Sequence, residues 1–239
     1  MLARSNLSGT NWAKILILAH VFMGRNCLKL TVLFCALSGV AVAAERLLGP
    51  VAFETVSIEE SGFIHLLLEE NLPQWRQCGP GRFVVTNGVA TGVGGMGLWW
   101  YVGCQFTNFV LRGEFKQEQE IADSGIFLRF PDPHDDPWVA VQKGHEVEVG
   151  DPEPEDPTWR TGSIYSFQAS TSANTRPIGE WNTYEIRCVW HRYSVKINKA
   201  LVTDWVDSQE RTAHGFVGLQ NYDDGKTVRH RRVRIKVLP

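Results

Sequence analysis

From residue 81 onward the chain is a succession of short segments rich in β-branched and aromatic side chains. Gly, Pro, Asn and Asp cut them apart, and apolar spacing of helical period is almost absent. The clearest segments are Phe83–Val85, Leu98–Val102, Phe109–Lys116, Ile126–Phe130, Glu146–Val149, Ser163–Phe167, Tyr184–Trp190, Tyr193–Asn198, Phe216–Gln220 and Val233–Val237. Several alternate strictly: Phe109, Leu111, Gly113 and Phe115 leave one face, and Arg112, Glu114 and Lys116 leave the other. So many strands in one flat sheet would expose an apolar face and two edges, so the pattern demands a second layer. The expectation is an all-β fold of two antiparallel sheets stacked as a sandwich. The one helical candidate is Ser57–Glu70, where Ile64, Leu67 and Leu68 share a face. Two acidic, proline-laden stretches, 131–137 and 150–158, are excluded from strand interiors because proline lacks the ladder donor, and they read as rim loops.

The first 44 residues carry four basic side chains (Arg4, Lys14, Arg25, Lys29) and no acidic one. After Leu30 no charge occurs until Glu45, and Ala41-Val42-Ala43 and Val42-Ala43-Ala44 both suit a signal peptidase. This apolar run falls short of the ~20 residues that a membrane-spanning helix needs. Residues 1–44 therefore read as an export signal, with Met23 as an alternative start, and no stable membrane insertion is expected after cleavage. Residues 45–71 form a lead-in, and 72–239 form a single domain placed outside the cytoplasm, in the periplasm or beyond. This processed part is mildly acidic, 20 basic against 26 acidic side chains, which makes it a poor ligand for phosphate backbones. Nucleic-acid binding is set aside. Cys78, Cys104 and Cys188 survive cleavage; one disulfide plus a thiol would suit an oxidising compartment, and no CxxC spacing points to zinc.

Glu146 and Glu148 stand two apart on an expected strand, so both leave one face about 6–7 Å apart, while Val147 and Val149 fill the other. Crowded carboxylates raise one another's pKa, suiting one to accept and return a proton, or bind a cation together. By period two, Arg129 shares a face with Phe127 and Gly125. An arginine on so apolar a strand needs an anionic partner, and Glu146 is the expected mate. Gln220 and Asn221 close a strand, where such groups hold sugar hydroxyls or simply form turns. Trp99 and Trp100 are adjacent, so one of them faces the groove side. Most of the nine tryptophans are expected to fill the core, Trp181, Trp190 and Trp205 among them. Asp132, His134, Asp135 and Asp136 fit no EF-hand spacing. No Gly-x-Ser-x-Gly elbow or phosphate-cradling glycine loop followed by a helix is present, which excludes two large enzyme classes and leaves no organic cofactor implied.

The segments GGMGLWWY (94–101), SGIFLRFPDP (124–133), GHEVEVGD (144–151), TGSIY (161–165), GEWNTYEIRCVWHRYSVKINKALVTDW (179–205) and GFVGLQNYDDG (215–225) follow in that order before a closing RRVRIKVLP. Together they resemble the 3-keto-disaccharide hydrolase family over roughly residues 72–239. The resemblance implies a concanavalin A-like jelly-roll sandwich acting on glycosides whose 3-hydroxyl has been oxidised to a ketone, in some members with a divalent metal, calcium or a transition metal. The family pattern Tyr-Glu-Val-Gln-Ile-x-Asp falls on residues 145–151, matching at Glu146 and Asp151 and departing at His145 and Glu148. Spacing and charge thus give Glu146, Glu148 and Arg129 as catalytic candidates, and the resemblance adds weight to Glu146 and implies Glu146 with Asp151 as metal ligands. Tyr165, Gln220, Asn221 and Trp100 complete the set as candidates for binding a carbohydrate substrate. Two other readings share the fold: a glycan-binding module whose acids are structural, and an ordinary glycosidase, for which carboxylates ~5–5.5 Å apart would predict retention.

Overall fold

In a computed structural model of the protein, the described residues are 20–24, 27–31, 61–120, 122–150, 154–222 and 225–239. Near the amino terminus, β1 (His20–Gly24) and β2 (Cys27–Thr31) pair antiparallel as a hairpin of their own. The rest of the expected export signal lies outside the described residues, as does Asp151. Among the described residues no helix is long and apolar enough to cross a membrane.

Residues 55–239 form the second unit, an all-β sandwich. Its strands in chain order are β3 (Ile64–His65), β4 (Trp75–Cys78), β5 (Arg82–Thr86), β6 (Val89–Val93), β7 (Gly97–Phe106), β8 (Phe109–Gln117) and β9 (Ser124–Phe130). They continue as β10 (His145–Val149), β11 (Asn182–Val189), β12 (Arg192–Ile197), β13 (Ala200–Val206), β14 (Gly215–Asn221) and β15 (Val228–Val237). One sheet runs β10-β9-β14-β7-β4; the other runs β13-β12-β11-β8-β15-β6-β5, with β3 beside β15. Every pairing is antiparallel, and the architecture is the two-sheet jelly-roll sandwich expected from the strand pattern.

The interlayer core is built by alternate positions. Phe109, Leu111 and Phe115 from β8 and Ile186 and Cys188 from β11 face Ile126 and Leu128 from β9, Val147 and Val149 from β10, and Val217 and Leu219 from β14. The smaller sheet is buried on its outer face as well. There Leu98, Trp100, Phe127 and Phe130 lie beneath α1 (Trp138–Lys143), whose Ala140 reaches into the cluster. That cover explains why β9 is buried at every position. The helix grows out of the 131–137 loop: Asp136 Oδ1 accepts the Trp138 N–H at 3.0 Å, and Gly144 ends it.

Three expectations need correction. The helix expected over 57–70 is not formed in its described part; residues 64–65 pair with β15 and 69–74 make a 3-10 turn around Pro73, which can give no helical N–H. The segment 163–167 is not a full strand, because Ile164 turns back onto Gln168. Among the described residues no disulfide joins Cys78, Cys104 and Cys188; Cys78 sits in the outer cluster and Cys188 in the interlayer core. Burial pushes the Cys78 thiol up to about 11, with Asp135 adding to it, and the Cys188 thiol up to about 12.

Candidate active site

β10 is the edge strand of the smaller sheet, and its alternation is the one read from sequence: Val147 and Val149 enter the interlayer, and Glu146 and Glu148 leave the outer face. The chain lies along this edge after residue 160. Tyr165 N–H donates to the Glu146 carbonyl (3.0 Å), Gly162 N–H to the Glu148 carbonyl (2.9 Å), and Ser163 accepts from Glu148 N–H (3.0 Å). Thr161 Oγ1 ties the start of that segment to Gly150, and Gly162, at φ +85°, passes so close to Val202 that a Cβ would come within 2.7 Å of its methyl. The edge is thus covered and Tyr165 is carried into place.

A cavity of about 240 Å³ opens over this edge. Glu146, Glu148, Gln220 and Asp123 supply its polar lining. Trp138 and Val141, one turn apart on α1, form one wall, and Trp159, Tyr165 and Tyr222 complete the rim. Trp138 and Tyr222 meet edge to face at 6.2 Å. The Glu146 carboxyl lies over β9 only because residue 125 is glycine: a Cβ there would overlap the carboxyl, at 2.6 Å from its Cδ.

Both glutamates are almost fully removed from solvent, at 4% and 6% exposure, and Gln220 at 5%. Oε1 of Glu146 and Oε1 of Gln220 have no hydrogen-bond partner. Burial drives the Glu146 carboxyl well above the usual carboxylate range, and the charge of Asp123 adds to it. Glu148 is driven up in the same direction by burial first, then by Glu146 and by Asp123, to which its side chain is hydrogen-bonded. No lysine, arginine or histidine is among the described residues lining the cavity.

Of the residues expected at the site, Glu146, Glu148, Tyr165 and Gln220 converge on this cavity. Arg129 does not. It takes φ +53° and is the extra residue of a bulge, since Phe216 pairs with Phe130 and Val217 with Leu128, leaving Arg129 unmatched. The bulge reverses the alternation and sends the guanidinium into the interlayer, where it is 0% exposed. There it donates to the carbonyls of Thr107 (2.8 Å from Nε) and Trp190 (2.5 Å) and to the Tyr193 hydroxyl (3.1 Å), with Phe109 and Tyr193 rings beside it. Its partners are carbonyls and a phenol, and Glu146 is not its mate.

Asn221 also turns inward, donating to the carbonyls of Gly94 and Gly95 (2.9 Å to the latter), so it pins the glycine loop instead of facing a ligand. Trp100 shares the outer face but is roofed by α1 and does not line the cavity, while Trp99 stacks on Trp75 in the interlayer at 4.1 Å. Trp205 packs as expected and Trp181 lies under Arg231 at 3.8 Å, but Trp190 is 74% exposed. His145, where the family pattern has tyrosine, is buried against Tyr193 and donates or accepts with Asp207 at 3.1 Å. Burial outweighs Asp207 and lowers its pKa to about 4.

Asp123, Trp138, Trp159 and Tyr222 were not expected at a site. Asp123 had a signal: it precedes Gly125 and Phe127 by the same period of two that placed the glutamates. Among the described residues no three or more His, Cys, Asp or Glu side chains converge as metal ligands do. Of the two ligands that the resemblance implied, Glu146 lines the cavity and Asp151 lies outside the described residues, while Asp123 and Glu148 are engaged with each other.

Comparison with known proteins agrees with this architecture. Residues 62–236 match the model of a family described as a 3-keto-alpha-glucoside-1,2-lyase-like domain. No curated protein sequence gives a significant match. A proposed glycosyl hydrolase from Parabacteroides distasonis superposes with a TM-score of 0.62 at 21% identity, covering 74% of this chain and 99% of that chain. A second from the same organism gives 0.61 at 17%, covering 76% and 96%. Carbohydrate-binding module CBM66 from Bacillus subtilis gives 0.51 at 13%, covering 68% and 95%. At such identities the likeness is one of fold.

Proposed function

The chain belongs to the 3-keto-alpha-glucoside-1,2-lyase-like domain family, and from that membership we propose that it is an exported carbohydrate-active enzyme that cleaves 3-keto glycosides by removing the proton on carbon 2. The family's coarser indication is a hydrolase-like or carbohydrate-binding role. The observation that favours the enzymatic reading is the Glu146 carboxyl, buried at the floor of an aromatic-rimmed cavity with an oxygen that no protein group claims.

In this scheme the ketone at carbon 3 acidifies the neighbouring C2–H bond. Glu146, in its ionised form, takes that proton, and the electron pair of the bond passes into a C1=C2 double bond as the C1–O bond breaks towards the aglycone oxygen. The Gln220 amide and the Tyr165 hydroxyl are the donors for the enolate oxygen that develops on the way. Water adding at carbon 1, with return of the proton to carbon 2, completes a net hydrolysis in which nothing is oxidised or reduced. Trp138, Trp159 and Tyr222 offer apolar rims for the sugar ring. No step uses a metal ion.

A binding module of the same fold would use the same aromatic rim and leave the substrate intact. The two readings separate when purified protein is incubated with 3-keto glucosides and with their unoxidised parents, with and without a chelator. The expected result is turnover of the ketone alone, unchanged by the chelator. Turnover of the parent but not the ketone would overturn the elimination route, and saturable binding without turnover of either would establish the module.

A further inference from the structure

The described lining of the cavity holds three acids and one amide besides its aromatic rim, and two of the acids are engaged with each other. Asp123 lies two residues before Gly125, which pairs with Glu148, and the Asp123 and Glu148 side chains are hydrogen-bonded. An ionised carboxylate only accepts, so a bond between two carboxyl groups requires a proton on one of them. Among the described residues that line the cavity with the pair, none is a lysine, arginine or histidine. Glu146 comes from β10, Tyr165 and Trp159 from the covering segment, Trp138 and Val141 from α1, and Gln220 and Tyr222 from β14 and its end. Gln220 Oε1, 5% exposed as a residue and without a partner, lines the same cavity.

Resting on the elimination reading above, we infer that Asp123 and Glu148 form a proton-sharing pair that acts as the general acid, protonating the departing aglycone oxygen while Glu146 takes the C2 proton. The balance is complete: the C2 proton goes to Glu146, the C1–O electron pair goes to the aglycone oxygen, and that oxygen receives the shared proton, leaving the pair anionic until water restores it. Glu146 is left as the group able to accept, because the proton of the cluster is stored two residues along the strand, on the same face.

The test is a leaving-group comparison between an alkyl 3-keto glucoside, whose alkoxide needs protonation, and the 4-nitrophenyl analogue, whose phenolate does not. In Glu148→Gln and Asp123→Asn, kcat/KM on the alkyl substrate should fall ~10²–10³-fold and on the aryl substrate at most a few-fold. The double variant should be little worse than either single one, as for groups that act as a unit. The wild type should lose activity at high pH on the alkyl substrate and keep it on the aryl one. Equal losses on both substrates, or no loss on either, would overturn the acid pair. Glu146→Gln is the control: if it abolishes both reactions while Glu148→Gln spares both, only the pair falls, and if it spares both, the elimination reading itself falls. Should Asp123→Asn fail to fold, Glu148→Gln carries the test alone.

Discussion

Arg129 on β9 and Glu146 on β10 are charged side chains on neighbouring strands of one sheet, 0% and 4% exposed, and they meet burial in opposite ways. Every nitrogen of Arg129 has an acceptor, and the backbone spends an unfavourable left-handed conformation to bring it there. The group ties the β7–β8 connection at Thr107 to the β11–β12 turn at Trp190. Glu146 has an unclaimed oxygen, acidic neighbours and a glycine cleared beneath it. One site is complete without a ligand and the other is not. A sequence cannot separate them by residue type, since both are charges on apolar strands; satisfaction of their hydrogen bonds does.

The comparison breaks most sharply in Glu146→Gln, for which turnover of a 3-keto glucoside should drop ~10²–10⁴-fold while the thermal transition rises, because a buried, crowded acid is replaced by a neutral isostere. A lowered transition in calorimetry would show Glu146 to be structural. Arg129→Met should do the reverse. Its loss strands the carbonyls of Thr107 and Trp190, at ~1–3 kcal/mol each, which lowers Tm by about 5–15 °C while kcat/KM of the folded fraction stays within a few-fold. A selective loss of activity with Tm unchanged would place Arg129 in the chemistry after all.

The pH dependence of stability sharpens the contrast with a smaller effect. Glu146 and Glu148 are raised above their ordinary 4.5 in the folded chain. Below that value both states hold the protons; above it the unfolded chain releases them and the folded chain does not, so stability falls as pH rises from 4.5. His145 is lowered from 6.5 to about 4 and His230 to about 3, both chiefly by burial, so they withdraw stability as pH falls below 6.5. Chemical denaturation across pH should therefore show Glu148→Gln keeping the acid limb of the wild type and losing part of the decline above pH 4.5. Parallel curves at every pH would refute the raised carboxyl.

How far the sequence could be read follows the same division. Alternation placed β8, β10, β11 and β12 and set Glu146 and Glu148 on one face, because period two is a local property of extended chain. Gln220 and Tyr165 arrived with them. Arg129 was misplaced by a single residue of positive φ, which no alternation rule anticipates at an arginine. Asn221 failed for a related reason, being one position past Gln220 and hence on the other face. Trp138 and Trp159 came from α1 and from a 3-10 turn inside loops, where only the closed fold brings distant segments together. Asp123 was legible, two steps before Gly125, had the period been carried one residue past the strand's first position, Ser124.

The bulge at Arg129 has an evolutionary corollary. Because it inverts the parity of β9, Leu128 before it enters the interlayer while Phe130 after it enters the outer cluster, and removing the extra residue would turn Phe130 inward; a lineage that keeps the packing beneath α1 must therefore keep the inversion too.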